Sequence, residues 1–311
     1  MKFNKPNFWD YDKPNFLAYL LLPFAYLFFI INYLQNKKAV RIQRIKTVCI
    51  GNIYVGGTGK TPISIKINKI LNNLNFKTAF VKKKYSDQID EQKLLSYNGK
   101  LFCEKNRVNA IKKAIEDNID VVILDDGLQD KRINYDVTFV CFNIINWVGN
   151  GMLLPSGPLR ENLKSLKKYD GIFLNGNGED IVKIKNILNN INPNLKIFEA
   201  EYLPLNIKKL NQNQNCLIFS GIGNPKSFTE TLKKNKFKII KTLDFPDHYN
   251  YTNQDIIKIK DTAKNLNAQI ITTEKDFMRL NKLNSDGIDY LKIELKIKDE
   301  KELINFLNKK L

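Results

Sequence analysis

The stretch from Thr47 to Thr61 contains the residue types that bind a triphosphate. An apolar run predicts a buried strand, a glycine-rich turn follows, and Lys60 and Thr61 begin a predicted helix. In such a loop, backbone N–H groups and the positive end of the helix face the anion, the lysine reaches the outer phosphates, and the threonine hydroxyl can ligate Mg²⁺. The strict pattern begins with glycine and here has Tyr54, so an ordinary glycine turn is the alternative, but the complete order of strand, turn, Lys and Thr favours a phosphate loop. The predicted nucleotide-binding residues are Val55, Gly56, Gly57, Thr58, Gly59, Lys60 and Thr61.

A second apolar run, Val121–Asp126, ends in two acids. A strand of branched aliphatic residues that delivers a carboxylate beside a phosphate loop is how such enzymes hold Mg²⁺, directly or through water. An apolar strand that ends in an acidic turn would be the commoner structure if the run stood alone. Together with Lys60 and Thr61, it predicts an Mg²⁺–nucleoside triphosphate site that includes Asp125 and Asp126.

The segment Asn150–Glu161 contains Pro155 and Pro158 and ends in a charged pair, Arg160 and Glu161. Two prolines forbid regular structure and predict a rigid, shaped loop. Such a loop could place the guanidinium on a phosphate and the carboxylate near the metal. A surface loop with a solvated ion pair is the alternative.

His248 is the only histidine in the chain, and it follows Asp247 in a predicted turn after a strand. An imidazole held beside a carboxylate can transfer protons at neutral pH. A lone histidine is often structural, and the residues themselves leave the two roles evenly balanced.

The chain has 311 residues, of which 43% are hydrophobic, enough for a sizeable core and for two domains. The 50 Lys and Arg residues exceed the 32 Asp and Glu residues and give a net charge of +18. This excess favours an acidic partner, which could be nucleic acid, an anionic membrane or a phosphorylated substrate. The four cysteines are scattered without a C-x-x-C pair, so neither a disulfide framework nor a zinc site is expected.

The N-terminal run Phe16–Ile31 is apolar over its whole length, and Lys37 and Lys38 follow it. It is slightly short for a membrane-spanning helix, which needs about 20 apolar residues, and Pro23 should kink it. A core helix is the alternative to a segment at a membrane interface. The basic residues after the run favour contact with anionic headgroups on the cytoplasmic side.

Predicted helices and strands alternate along the rest of the chain, which indicates an α/β fold with a doubly wound, mainly parallel sheet. Ligands of such sheets collect at the carboxyl ends of the strands, where the phosphate loop, Asp125 and Asp126 fall. A new alternation begins near Asn206. The predicted division is a membrane-associated segment at 1–40, a phosphate-loop nucleotide-binding domain at 41–204, and a smaller α/β domain at 205–311 that closes the active-site cleft.

Six blocks in this order closely resemble the tetraacyldisaccharide 4′-kinase family. The resemblance covers nearly the whole chain, includes the apolar N-terminal segment, and explains why position 54 is not glycine. The blocks are GNIYVGGTGKTP (51–62), DDGLQ (125–129), GNGMLLPSGPLRE (149–161), SGIGNPKSF (220–228), FPDHYNY (245–251) and TEKD (273–276).

The resemblance implies transfer of the γ-phosphoryl of ATP, with Mg²⁺, to the 4′-hydroxyl of an anionic glycolipid, the lipid A disaccharide 1-phosphate, to form lipid IVA. It also implies a peripheral or monotopic protein on the cytoplasmic face of the bacterial inner membrane, with the site in a cleft between a phosphate-loop domain and a smaller α/β domain. No nucleic acid is implied as a partner.

The resemblance also assigns residues. Asp90, within the match to the family's G-D-E-x-x-L-L segment, would accept the hydroxyl proton while His248 orients it. Arg160 would contact a phosphate. The implied metal site draws on Thr61, Asp125, Asp126, Gln129 and Glu161.

The chain departs from the family pattern where S-R-G-Y is replaced by Lys82, Lys83, Lys84 and Tyr85, and where the histidine after DDGLQ is Asp130. A phosphate-loop GTPase or metal-insertion chaperone is an alternative class, but it predicts a base-specifying motif such as N-K-x-D, which the sequence lacks. A nucleic-acid-stimulated ATPase would show basic stripes with interleaved aromatics, and none is evident.

Overall fold

The computed structural model describes residues 5–34, 39–85, 89–176, 180–280 and 285–311. Its α-helices are α1 (Phe16–Leu20), α2 (Leu22–Leu34), α3 (Lys60–Asn73), α4 (Ile89–Asn98), α5 (Arg107–Glu116), α6 (Ile181–Ile191), α7 (Pro225–Lys234), α8 (Asn253–Asn265), α9 (Glu274–Phe277) and α10 (Glu300–Lys310). Its strands are β1 (Val40–Arg41), β2 (Lys46–Gly51), β3 (Thr78–Lys83), β4 (Leu101–Glu104), β5 (Val121–Asp125), β6 (Ile133–Asn134), β7 (Val137–Asn143), β8 (Gly171–Asn175), β9 (Lys196–Pro204), β10 (Asn215–Ser220), β11 (Lys238–Asp244), β12 (Ala268–Thr273), β13 (Ile288–Leu291) and β14 (Ile293–Ile297).

The larger sheet has eight strands in the order β14-β9-β8-β7-β2-β5-β3-β4, and only the β14–β9 pair is antiparallel. Its central strands β2 and β5 are almost wholly buried because helices cover both faces, as an apolar parallel strand requires. One apolar core forms beneath α5 and α6, and the other beneath α3 and α10. The predicted α/β fold with a mainly parallel sheet is therefore confirmed.

The smaller sheet is parallel, in the order β11-β10-β12-β13, and has its own two apolar clusters. The predicted range of the smaller domain, 205–311, extends beyond this sheet. The chain leaves the smaller sheet after β13, and β14 pairs with β9 of the larger sheet. The smaller sheet is thus built from residues 215–291, and β14 and α10 complete the larger unit.

The apolar N-terminal run folds as α1 and α2, which are separated at Leu21. Pro23 lies in the first turn of α2, where its missing N–H costs no helical hydrogen bond. Of the helices in the described part of the chain, none is long and apolar enough to cross a membrane. Lys37 and Lys38 lie outside the described residues.

Candidate active site

The phosphate loop lies between β2 and α3, at the carboxyl end of a central strand. Gly59 caps α3 with a φ of 85°, and Gly56 has a φ of 136°, so both adopt conformations that favour glycine. A Cβ on Gly59 would collide with the Tyr202 hydroxyl and the Asn175 amide. The Val55 N–H donates to Pro158 O at 2.8 Å, so the first predicted residue anchors the proline loop. The other predicted loop residues, through Thr61, stay together at the start of α3.

Several buried polar atoms around this loop have no hydrogen-bond partner within the described ranges. They are Asn52 Oδ1, Thr58 Oγ1, Asn175 Oδ1 and Asn224 Nδ2. Asn175 Nδ2 donates to Thr58 O, which places the side chain of the β8 residue directly on the loop. Buried polar groups are nearly always satisfied, so this concentration of unsatisfied atoms indicates a site for a polar ligand.

Asp125 ends β5 next to the first turn of α3 and is fully buried. One carboxylate oxygen accepts a hydrogen bond from the Thr61 hydroxyl at 3.2 Å, and the other accepts one from Ser64 at 3.3 Å. Lys82 Nζ approaches the same carboxylate at 2.6 Å. The two strongest metal-ligand predictions, Thr61 and Asp125, are therefore in direct contact.

Asp126 points to the cations of the site instead. Its Oδ1 lies 3.6 Å from Lys60 Nζ and 3.5 Å from Arg160 Nη1. Burial alone would raise the pKa of Asp126, but the charges of Lys60 and Arg160 outweigh it and lower the pKa. The proline loop thus brings Arg160 to the same carboxylate as Lys60 of the phosphate loop.

Gln129 and Glu161 form the outer edge of this group. Gln129 accepts from Arg160 Nη1 at 3.2 Å and donates to Glu161 at 3.4 Å. Glu161 also accepts from Lys168 at 2.7 Å and from the Tyr169 hydroxyl at 3.0 Å. The structure therefore joins these two predicted metal ligands to Asp126 through Arg160 rather than to Thr61 directly.

Asp130, the residue that replaces a histidine, is held by two arginines. Arg132 donates to both of its oxygens, at 2.7 and 2.6 Å, and Arg107 Nη1 lies 3.4 Å away. Arg107 Nη2 in turn donates to the backbone carbonyl of Asp126. Asp130 therefore supports the backbone of the Asp126 turn through Arg107.

The predicted catalytic pair is assembled from the two units. Asp90 belongs to α4, and its Oδ1 lies 3.0 Å from His248 Nδ1. The Oδ2 of Asp90 accepts a hydrogen bond from Arg279 at 2.7 Å. Lys275 Nζ is 3.3 Å from the same Oδ2. Burial alone would raise the pKa of Asp90, but the hydrogen bond with His248 and the charges of Lys275 and Arg279 hold it well below its usual range. Asp90 is therefore a firmly ionised carboxylate.

His248 is placed by its backbone as well as by Asp90. It has a φ of 57°, and its N–H donates to Gly221 O at 3.1 Å. Arg279 donates to that same carbonyl at 2.6 Å and to Asp276 at 2.7 Å. Gly221, which follows β10, thus joins the turn after β11 to the segment after α9 beside the imidazole.

The smaller unit touches the phosphate loop through the turn after β10. A Cβ on Gly223 would lie 2.5 Å from Gly57 N and 2.9 Å from Asp247 Oδ2. A Cβ on Gly57 would lie 3.0 Å from Asn224 N. Only glycines allow the two turns to come this close.

Tyr54, at the position where the strict loop pattern has glycine, anchors the N-terminal segment. Its hydroxyl donates to Asp10 Oδ1 at 2.8 Å, and Lys5 Nζ contacts both groups. The neighbouring Trp9 is buried; its indole N–H donates to Pro155 O at 3.1 Å, and its carbonyl accepts from Asn150 N at 2.9 Å. The segment that leads into α1 is therefore fastened to both the phosphate loop and the proline loop.

Sequence reasoning missed several polar side chains of this site. Asn175, Lys82 and Arg279 each come from an element other than the motif they contact, so no local pattern marks them. Glu91 follows Asp90 in the match to G-D-E-x-x-L-L, but the sequence analysis gave it no role. Arg279 had the best available signal, since it lies three residues after Asp276 in the TEKD block.

The site combines a mainly parallel sheet with a glycine-rich loop at the end of a central strand. A lysine and a threonine begin the following helix, and a buried aspartate lies next to them. Together these features define a phosphate-loop nucleotide-binding protein. The chain matches a family model described as tetraacyldisaccharide-1-P 4′-kinase over residues 17–311. The tetraacyldisaccharide 4′-kinase of Pelagibacter ubique (strain HTCC1062) is 52% identical over 309 residues, which cover 99% of this chain and 98% of that protein. The one from Rickettsia canadensis (strain McKiel) is 36% identical over 326 residues, covering 98% of this chain and 96% of that protein.

Among solved structures, LpxK from Aquifex aeolicus in complex with ATP superposes with a TM-score of 0.69 at 22% identity, covering 94% of this chain and 99% of that chain. That likeness shows a shared fold. The family match and the two relatives show that the protein belongs to the tetraacyldisaccharide-1-P 4′-kinase family.

Proposed function

We propose that this protein transfers the γ-phosphoryl group of ATP to the 4′-hydroxyl of tetraacyldisaccharide 1-phosphate, forming lipid IVA. The observation that carries the proposal is the Asp90–His248 contact of 3.0 Å, which joins the two units beside the phosphate loop. A phosphate loop alone would serve any nucleotide-dependent protein. An acid–histidine pair that ion pairs link to the phosphate loop can remove the proton of a hydroxyl acceptor.

The donor side is built to neutralise charge. Lys60 and Arg160 converge on Asp126, and a triphosphate seated in the loop would compete with that carboxylate for both cations. Phosphoryl transfer depends mainly on positioning and on charge stabilisation, so two cations at the outer phosphates are a large part of what the protein supplies.

The residues present also fit Mg²⁺. Thr61 Oγ1 and Asp125 Oδ2 lie 3.2 Å apart at the start of α3, which is the pairing by which phosphate-loop enzymes hold this ion. When bound, Mg²⁺ would neutralise charge on the β- and γ-phosphate oxygens. Asp126, Gln129 and Glu161 would complete the polar surroundings of the ion rather than ligate it directly.

The acceptor side is the Asp90–His248 pair. Asp90 Oδ1 lies 3.0 Å from His248 Nδ1, so the carboxylate and the imidazole can act as one unit on the proton of the acceptor hydroxyl. As the family resemblance implies, Asp90 would accept that proton while His248 orients the carboxylate.

We further propose that α1 and α2 rest on the cytoplasmic face of the inner membrane, as a peripheral or monotopic attachment that presents the site to its glycolipid. Most large apolar side chains of this segment are exposed, including Phe24 at 60% and Leu27 at 55%. Exposed apolar surface of this extent is typical of a membrane or protein contact. The net charge of +18 favours anionic headgroups.

The transfer assay uses ATP labelled in the γ-phosphate and tetraacyldisaccharide 1-phosphate in detergent micelles. The expected product carries label at the 4′ position, and an acceptor with a methylated 4′-hydroxyl should receive none. Equal labelling of both acceptors, or ATP hydrolysis without any labelled lipid, would refute the assigned acceptor.

Membrane attachment is tested by flotation with liposomes that contain anionic phospholipid. The double substitution Phe24→Asp and Leu27→Asp should abolish binding because it places two charges in the apolar contact. Val182→Asp is the matched control, since Val182 is 64% exposed on α6 of the larger unit. Unchanged flotation of the double variant would eliminate the proposed contact.

A further inference from the structure

Lys82, at the end of β3, is a buried cation between two acids of the site. Its Nζ lies 2.6 Å from Asp125 Oδ2 and 2.7 Å from Glu91 Oε2, and only 2% of its side chain is exposed. The Lys82 side chain therefore bridges the two carboxylates by one short contact to each.

The two acids lie on different sides of the site: Asp125 is on the side of the phosphate donor, and Glu91 is on the side of the acceptor. Asp125 accepts a hydrogen bond from Thr61 in the first turn after the phosphate loop. Glu91 is the neighbour of Asp90 in α4, and its second oxygen accepts from Lys275 at 3.0 Å. Lys82 is thus the link between the donor end and the acceptor end.

We infer that Lys82 is a positioning residue, which sets the separation between the phosphate loop and the Asp90–His248 pair by holding Asp125 with one hydrogen bond and Glu91 with another. Its ammonium also neutralises two carboxylates that would repel each other and an incoming triphosphate. The inference rests on the proposed kinase function and adds to it a residue that acts only through others.

The first test is Lys82→Ala, with propylammonium added to refill the space. Displacing the acceptor pair by about 1 Å should lower kcat about 100-fold, while the affinity for a non-hydrolysable ATP analogue changes less than about threefold. Propylammonium should restore kcat at least about tenfold, because its head replaces the missing charge between the two acids. A loss confined to analogue affinity, or the absence of rescue in a folded variant, would overturn the inference.

The matched control is Lys66→Ala, which removes another partly buried ion pair from α3. Lys66 Nζ lies 2.8 Å from Glu300, and 18% of the lysine side chain is exposed. The control should lose less thermal stability than Lys82→Ala, because the Glu300 side chain is 38% exposed and can be hydrated. It should keep kcat, and it should not respond to propylammonium. An equal loss of kcat in the control would assign the effect of Lys82 to general destabilisation.

A second variant and a second measurement keep the inference separable from the kinase proposal. Lys82→Arg retains the charge with a wider head, so it should fold and lower kcat about tenfold. Wild-type kcat in this variant would overturn the inference.

Hydrogen exchange on the complex with the ATP analogue does not depend on any acceptor. Residues 89–98 and 245–251 should exchange faster in Lys82→Ala, and propylammonium should protect them again. Unchanged exchange there refutes the role of Lys82, whereas an inactive wild type with the expected exchange refutes only the proposed acceptor.

Discussion

Gly223→Ala tests whether the contact between the two units governs the chemistry. A Cβ on Gly223 would lie 2.5 Å from Gly57 N, whereas ordinary contacts begin at 3.4 Å, so the turn after β10 must retreat by about 0.9 Å. The backbone of the phosphate loop cannot yield easily, whereas the Asp247 carboxylate, whose Oδ2 would lie 2.9 Å away, can rotate out of contact. A misplacement of this size should lower kcat about 100-fold, or by about 2.7 kcal/mol of transition-state free energy.

The assay is steady-state transfer to the lipid acceptor in micelles, with the midpoint of thermal unfolding measured in parallel. The control is Gly287→Ala, where φ is 75°. Apart from its two chain neighbours, no atom of the described residues lies within 4 Å of the added Cβ, so backbone strain alone should reduce stability by about 1 kcal/mol and leave kcat intact. The refuting result is wild-type kcat in Gly223→Ala, which would mean that the observed approach of the two turns is not the reactive arrangement.

Three further perturbations address the pair and the N-terminal anchor. His248→Ala and Asp90→Asn should each lower kcat about 10³-fold while binding of an ATP analogue stays within about threefold, and a variant with normal turnover does not belong to the pair. The lowered pKa of Asp90 means that this carboxylate contributes stability above its unfolded pKa of about 4, which is lost as the pH falls toward the folded pKa. The urea midpoint of the wild type should therefore drop more steeply than that of Asp90→Asn when the pH is lowered below about 4, and parallel curves would contradict the argument. Tyr54→Phe removes the hydrogen bond to Asp10 and should cost about 1 kcal/mol of unfolding free energy. It should also raise hydrogen exchange over residues 5–20, and unchanged exchange would show that the phenol does not fasten this segment.

The sequence predicted the parts of the site that lie within single turns. The phosphate loop, the acids after β5 and Arg160 each follow a local pattern whose backbone geometry depends only on neighbouring residues. Strand, turn and helix then formed where the apolar periodicity and the glycines required them. The family blocks added His248 and Asp90, which only a long-range contact brings together.

The features that could not be predicted depend on contacts between residues that lie far apart in the sequence. β14 joins β9 although nearly ninety residues separate Pro204 from Ile293 in the sequence. Apolar and charged residues alternate on both sides of Lys292, so no break in the pattern marks the point where the chain crosses between the sheets. Lys82 is the first of three consecutive lysines in the sequence, and nothing in that run distinguishes the buried lysine from its solvated neighbours. Such roles depend on which carboxylates the completed fold places nearby.

The return of the chain to the larger sheet has a consequence for its synthesis. The smaller unit enters after Pro204 and leaves before Ile293, two residues paired directly across the β9–β14 ladder. The smaller unit is thus an insertion between β9 and β14, and the ribosome adds β14, an edge strand of the larger sheet, only after the whole smaller unit. A nascent chain without β14 and α10 presents β9 as an open edge and leaves the core beneath α3 partly uncovered, so the larger unit becomes complete only after the smaller one has been made.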